Sequence, residues 1–241
     1  MNYTSCALRG DQGVGSLHGQ WNYLPVPLVF DKDFYVADGG GVIPSLKGAV
    51  ETWSHWANLR GFWGAFRLLN DNTGISGGRD IPELTDCSQA SYSSAVTDAV
   101  GVWKINGTSR WHENRRSSCG TNTDGSPGRI LPVGVQGQTD WIIQNGKIIG
   151  ASILLNFEGY NAPGQQRIDV ESLLLHELGH VLGLLHSCNG SGNGGTDGTA
   201  APMCAIAPTQ YTSAVMFPFL QVNQERRQLQ QNDYSRINCL Y

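Results

Sequence analysis

The sequence predicts an α+β fold, in which strands and helices follow one another within a single domain, residues 1–241. Two observations carry this prediction. Short apolar segments with the composition of strands are separated by longer segments whose apolar residues recur at helical spacing. The dipeptide Asn145-Gly146, a strong β-hairpin signal, also lies inside a long apolar segment. We therefore expect a sheet built before the helix that follows this hairpin.

The predicted elements are distributed along the whole chain. Residues 1–25 are glycine-rich and weakly patterned, so we predict an irregular arm there. Strands are predicted at 26–35, 62–69, 99–105, 130–135 and on both sides of the hairpin turn within 141–155. Helices are predicted at 43–58, at 169–183 and from 224 or later to 240. Apart from the strand at 99–105, the polar segment 70–128 shows no clear signal for a helix or a strand.

Terminal signals support two of these helices. Pro44 falls in the first turn of the helix 43–58, where a backbone N–H has no partner inside the helix. Asp169 is a suitable N-cap for the next helix, and Glu171 lies in the first turn of that helix. Gly183 is expected to end it.

Charge and hydropathy exclude two classes of partner. The net charge is -4 with a pI near 5.8, so the chain lacks the general basic surface that a nucleic-acid partner requires. No segment approaches the roughly 20 apolar residues of a membrane-spanning helix. We therefore expect neither a nucleic-acid partner nor a membrane anchor, and we expect a monomer.

Six cysteines, with no CxxC pair among them, indicate disulfides rather than a zinc ribbon or a redox motif. An even number in a chain rich in Gly, Ser and Asn is typical of an oxidising compartment, so we predict secretion to the extracellular space. The preferred pairs are Cys188–Cys204 across a short polar loop, Cys87–Cys119 and Cys6–Cys239. About 15 connectivities are open to six cysteines, and buried free thiols are the alternative.

Residues 176–186 read His-Glu-Leu-Gly-His-Val-Leu-Gly-Leu-Leu-His and match HExxHxxGxxH at every specified position. Residues four apart on a helix lie on one face, so His176 and His180 can bind one tetrahedral ion. Glu177 can reach a water molecule there without coordinating the metal. His186 can return to the metal only if the chain turns, and Gly183 can take the positive φ required.

Three histidine ligands indicate a catalytic zinc site, because they leave a fourth coordination position open. The alternative is that ordinary core histidines match the pattern by accident. Five specified residues at fixed spacing arise by chance at odds on the order of 10⁻⁵, which disfavours that alternative. We predict His176, His180 and His186 as zinc ligands and Glu177 as the general base.

This segment resembles the zinc-binding consensus of the metzincin metallopeptidases. Ser187, directly after the third histidine, resembles the matrixin branch, the catalytic domains of matrix metalloproteinases. Residues 213–218, which include Met216, are similar to the matrixin Met-turn, and residues 229–241 are similar to the closing helix. The similarity covers residues 130–241 well.

The resemblance implies a metzincin-like fold with a twisted mixed β-sheet, an N-terminal-side helix, an active-site helix and a C-terminal helix. One zinc ion is implied in a cleft between two lobes, residues 26–186 and 187–241. Met216 is implied to shape the floor of the site without binding zinc. The implied substrate-binding residues lie on one strand and on the segment after the Met-turn: Ile130, Leu131, Val133, Val135, Pro218, Phe219 and Leu220.

The chain departs from matrixins at several points. Leu220 stands where matrixins commonly carry Tyr, so the preference of the pocket is open. The three histidines outside the motif form no HxD pattern, so a second, structural zinc is not expected. Calcium is an option in the Asp/Gly/Asn-rich loops at 70–80 and 189–198, where a solvated turn is the favoured interpretation.

The predicted function is that of a secreted zinc endopeptidase acting on protein or peptide substrates. The main rival is a catalytically silent, zinc-containing binding or adhesion module. Glu177 disfavours it, since a structural zinc site has no need of that carboxylate. The second rival is a zinc hydrolase of other bonds, against which the Met-turn resemblance favours peptides.

Overall fold

A computed structural model describes seven parts of the chain: residues 20–31, 33–36, 41–69, 99–105, 135–157, 168–188 and 202–241. Most of the predicted N-terminal arm and most of the polar segment 70–128 lie outside these residues. The loops at 70–80 and 189–198, which were considered as calcium-binding loops, also lie outside the described residues.

The described residues form five strands and five α-helices. The strands are β1 (Val26–Phe30), β2 (Phe66–Leu68), β3 (Val100–Ile105), β4 (Gly137–Gln144) and β5 (Lys147–Asn156). The helices are α1 (Asp33–Val36), α2 (Ile43–Leu59), α3 (Val170–Val181), α4 (Thr209–Thr212) and α5 (Gln231–Ile237). This arrangement confirms the α+β class.

The strands form one mixed sheet in the order β2-β1-β3-β5-β4. The first four are parallel to one another, and β4 pairs antiparallel with β5. The turn between β4 and β5 is the predicted hairpin, with φ of 52° at Asn145 and 72° at Gly146. Among the described strands β4 pairs with β5 alone, which makes it an edge strand.

Helices α2 and α3 pack against each other, and α3 also contacts β4 and β5. Indole N–H groups join these layers, because a buried tryptophan needs a partner for its one polar atom. Trp53 of α2 donates to the Leu175 carbonyl of α3 at 2.8 Å. Trp21 donates to the Val181 carbonyl at the end of α3, also at 2.8 Å. The core therefore fixes α3 against both the sheet and α2.

The predicted end of the first strand is wrong. The strand predicted at 26–35 ends at Phe30, because the side chain of Asp31 accepts a hydrogen bond from the backbone N–H of Asp33 and turns the chain into α1. The last helix, predicted to start at 224 or later and to end at 240, starts at Gln231, where Gln230 and Asp233 form a capping box, and ends at Ile237. The predicted bounds of α2 agree to within one residue.

The disulfide Cys188–Cys204 is present, as predicted, with 5.0 Å between its Cα atoms. Cys239 is also disulfide-bonded. The other cysteines, Cys6, Cys87 and Cys119, lie outside the described residues, so the two remaining predicted pairs stay predictions. Of the helices in the described part of the chain, none combines the length and the apolar character needed to cross a membrane.

Candidate active site

Helix α3 carries the first two histidines of the motif. Asp169 caps its N-terminus, as predicted, since its side chain accepts a hydrogen bond of 2.8 Å from the backbone N–H of Ser172. His176 and His180 follow one turn apart, so their side chains leave the same face of the helix. The helix therefore presents both imidazoles to one place.

A tight turn at the end of α3 brings back the third histidine. Gly183 has φ of 102°, as its role in the motif predicts. The N–H of Leu184 donates to the Gly179 carbonyl at 3.0 Å, and the N–H of Gly183 donates to the His180 carbonyl at 2.8 Å. This pair of bonds is a Schellman motif, which closes the helix. His186 follows three residues after the glycine and faces the other two histidines.

The three histidines converge closely enough to share one ion. One ligand atom from each lies within 4.8 Å of the others, and the Nε2 atoms of His176 and His180 are 3.1 Å apart. Nitrogen ligands of one tetrahedral zinc ion, each about 2.0–2.1 Å from the metal, are about 3.3 Å from one another. His176, His180 and His186 could therefore hold a single metal ion.

Backbone carbonyls set the tautomers of the two helical imidazoles. The Nδ1 atom of His176 lies 2.8 Å from the carbonyl oxygen of Val215, and that of His180 lies 2.7 Å from the carbonyl oxygen of Leu184. Because a carbonyl only accepts, each Nδ1 carries the proton and each Nε2 presents a lone pair. Two facing lone pairs cannot bond to each other, whereas a cation satisfies both, so these residues fit a metal.

The pKa of each of these imidazoles is lowered, which favours the neutral form. Burial lowers the pKa of His176 to about 4, against the hydrogen bond to Val215, which raises it. Burial also lowers the pKa of His180, and repulsion from the other two histidines adds to the effect. Desolvation and repulsion from His176 also lower the pKa of His186, although this side chain is exposed. Neutral imidazole is the form that binds metal.

The side chain of Glu177 is buried beside this cluster, between its own helix α3 and the edge strand β4. The hydroxyl of Thr139 on β4 donates to Oε2 of Glu177 at 2.7 Å. Burial raises the pKa of Glu177 to about 7; the Thr139 bond opposes this rise, and the neighbouring Asp140 carboxylate adds to it. The carboxyl group is therefore held in one position and can both accept and release a proton near neutral pH.

A cavity of about 540 Å³ joins these groups. Among the predicted substrate-binding residues, Val135, Pro218, Phe219 and Leu220 line it, together with the three histidines and Glu177. Val135 precedes β4 by two residues and is not itself in a strand. The other three, Ile130, Leu131 and Val133, lie outside the described residues, so their role stays a prediction.

Met216 lies under α3 and is fully buried, so it does not line the cavity. A Cβ atom at Gly179 would collide with the sulfur of Met216 and with the ring of Trp53, so glycine at this position lets both approach the helix. The implied role of Met216 in the floor of the site stays a prediction.

Helix α5 supports the site from below the Met-turn. Both oxygens of the buried Asp233 carboxylate accept backbone hydrogen bonds from this turn, from Val215 at 2.9 Å and from Met216 at 3.1 Å. The buried Arg236 donates to the carbonyls of Leu185 at 3.0 Å and His186 at 3.2 Å. One short helix therefore holds both the carbonyl that orients His176 and the loop that carries the third histidine.

Several residues of the site, Arg236 among them, were not predicted from the sequence. Trp141 donates its indole N–H to the His180 carbonyl at 2.8 Å, and Thr139 bonds Glu177 from the same strand. Arg226 lines the cavity, and Asp233 anchors the Met-turn. The alternation along β4 is the one signal that could have found Thr139 and Trp141, because residues two apart share a face.

Comparison with models of known protein families finds no match, and comparison with curated proteins also finds none. The residues and their geometry therefore carry the functional assignment.

Proposed function

We propose that this chain is a secreted zinc endopeptidase of the metzincin type, most similar to the matrixins, which hydrolyses peptide bonds of extracellular proteins. One observation carries the proposal: three imidazoles converge beside a buried carboxyl group on the wall of one cavity. The disulfide Cys188–Cys204 supports an oxidising compartment.

The proposed ion is zinc, held by His176, His180 and His186. Three imidazoles leave the fourth position of a tetrahedral ion open, as in catalytic zinc sites. When bound, zinc supplies Lewis acidity, which lowers the pKa of water and polarises a peptide carbonyl. The carbonyls of Val215 and Leu184 orient two of the ligands and so contribute to metal affinity.

Glu177 moves the proton in this proposal. Its carboxylate accepts a proton from the attacking water and passes it to the nitrogen of the leaving amine. The hydroxyl of Thr139 donates a hydrogen bond to Oε2 of that carboxylate. This bond restricts the conformational freedom of the base before the substrate binds.

The substrate is proposed to lie extended along β4, which is an edge strand among the described residues. This strand has one partner among the described strands, and its first residues, together with Gln136 just before it, line the cavity beside Glu177. An extended peptide can add to such an edge by backbone hydrogen bonds, and pockets then select its side chains. On this proposal Pro218, Phe219 and Leu220 contact a side chain of the substrate.

The test compares hydrolysis of a quenched casein by the wild type, by Glu177→Gln and by a matched control, Glu51→Gln, with zinc assayed in each. Glu51 is exposed on α2 and lies outside the cavity. We expect Glu177→Gln to lower turnover by roughly 10² or more with zinc retained, and chelation to abolish turnover in the wild type.

Normal turnover in Glu177→Gln would contradict the role of this residue. Zinc at one ion per chain without hydrolysis of any protein would instead favour the silent binding module. Hydrolysis of ester but not peptide substrates would favour the rival zinc hydrolase.

A further inference from the structure

Arg226 places a cation in the wall of the proposed active site. Its backbone N–H donates to the hydroxyl of Ser172 at 2.7 Å, one helical turn before His176. Its guanidinium donates to the Phe217 carbonyl at 3.2 Å and to Oε1 of Gln224 at 3.0 Å. The residue thus connects α3 with the segment after the Met-turn, at the cavity that the histidines share.

This cation makes no hydrogen bond or ion pair with a carboxylate within the described parts of the chain. Its Nε atom is buried without a hydrogen-bond partner. Asp233 interacts with it electrostatically, but both oxygens of Asp233 already accept backbone N–H groups. The neighbouring Arg227 differs sharply, since it pairs with Asp169 and also with two glutamates.

Arg226 is partly buried among apolar side chains. Its guanidinium carbon lies 5.0 Å from the centroid of the Phe217 ring, a favourable cation–π contact that leaves the charge without an ionised partner, and Leu173, Val215 and Leu220 line the same cavity. A partly buried charge gains most from an ionised partner, and guanidinium matches the two oxygens of a carboxylate. The chain itself does not provide that partner among its described residues.

We infer that Arg226 binds a carboxylate of the substrate, so that the enzyme prefers peptides with an acidic group close to the cleaved bond. The inference rests on the proposed peptidase function. A carboxylate has two sources in a peptide, the side chain of Glu or Asp and the C-terminus. Both present the same chemistry to Arg226, and separate peptides distinguish them.

The test measures kcat/KM for a series of quenched peptides with amidated C-termini. A single Glu is placed in turn at each position around the cleaved bond, and each peptide has a matched partner with Gln. A neutral peptide is compared as free acid and as amide to test the C-terminus. We expect the wild type to prefer Glu over Gln about tenfold at one position, or the free acid over the amide by a similar factor.

Two variants of Arg226 and one control variant show whether Arg226 causes the preference for an acidic group. Arg226→Gln should reduce the preference to about one, and Arg226→Lys, which keeps charge but not the planar fork, should leave an intermediate value. Arg227→Gln removes an equal charge from the next residue, which does not line the cavity, and should retain the preference. Because each value is a ratio within one enzyme, a general loss of activity does not affect it.

A wild-type ratio near one at every position, with no difference between free acid and amide, would overturn the inference. An equal loss in Arg227→Gln would also overturn it. If no peptide is cleaved at all, the peptidase proposal fails, and fluorescence anisotropy of the same Glu and Gln peptides on the zinc-loaded protein decides the inference alone. Tighter binding of the Glu peptide, lost in Arg226→Gln, would support it, and equal binding would contradict it.

Discussion

One wall of the cavity consists of regular secondary structure, helix α3 and strand β4, whereas residues 213–230 on the opposite wall contain no helix or strand. On the regular wall, backbone hydrogen bonds within the helix and the sheet place Glu177 and Thr139. On the irregular wall, buried side chains of α5 hold the backbone in place. Asp233 accepts hydrogen bonds from the N–H groups of Val215 and Met216.

This difference determines how each wall responds to substitution. A helix shares its stability among many backbone bonds, so the loss of one side chain removes a small part of the total. An irregular segment held by one buried carboxylate loses several hydrogen bonds at once when that carboxylate is removed. We therefore expect the irregular wall to be the more sensitive, even though it provides none of the three histidines.

The largest effect is predicted for Asp233→Asn. The amide cannot accept the same set of hydrogen bonds from Val215, Met216 and Gln230, and the buried Arg236 loses a nearby negative charge. We expect the free energy of unfolding, measured with urea, to fall by about 3–5 kcal/mol. Zinc affinity should fall about 10- to 100-fold, because the Val215 carbonyl that orients His176 is released.

The matched control for this prediction is Asp169→Asn, the same change at the start of the helix on the regular wall. It keeps an oxygen that can cap α3 and should lower the free energy of unfolding by about 1 kcal/mol or less. Equal effects of the two substitutions would show that the two walls do not differ in this respect.

The same contrast explains which parts of the site could be predicted from the sequence. His176, His180, Glu177 and the turn at Gly183 follow from spacing along one helix, which is a local property. The hairpin between β4 and β5 is equally local. Spacing alone therefore locates the proposed ligands and the general base.

Asp233 and Arg226 could not be predicted, because each makes hydrogen bonds to groups that are distant in the sequence. The partner of the Arg226 N–H is Ser172, 54 residues away, and no pattern of residue types marks such a bond. The contact of Thr139 with Glu177 could not be predicted either. It depends on how β4 packs against α3, and this packing exists only after the sheet has formed. Local pattern reveals the chemistry of the site, whereas its supports depend on tertiary structure.

A smaller effect is predicted for Thr139→Val, which tests the regular wall. The substitution keeps the shape of the side chain and removes the hydrogen bond of 2.7 Å to Glu177. We expect kcat to fall about tenfold while KM and zinc content stay close to those of the wild type, since Thr139 positions the base and does not touch the metal.

Thr139→Ser serves as the control for this effect, because it restores the hydroxyl and should restore most of the activity. A loss of activity in Thr139→Val that follows a loss of zinc or of folding would show a structural role instead. In that case the hydrogen bond to Glu177 would not be a device for positioning the base.

The smallest effect concerns the pH dependence of the cap on α3. Burial alone would raise the pKa of Asp169, but hydrogen bonds from Arg227 and Ser172 outweigh it, so the net pKa lies below 3.8. A lowered pKa means that the folded state favours the carboxylate. The stabilisation is therefore fully present above the unfolded value and is lost as pH falls through the folded one.

We expect Asp169→Ala to lower the free energy of unfolding by about 1 kcal/mol at pH 7, and this difference should shrink as pH falls below about 4. Urea unfolding of both proteins between pH 7 and pH 3 measures it. Asp169→Asn keeps the cap without a charge, so it separates capping from the pairing with Arg227. A difference that grows on acidification would contradict the sign of the shift and show that burial, not the ion pair, controls this carboxyl group.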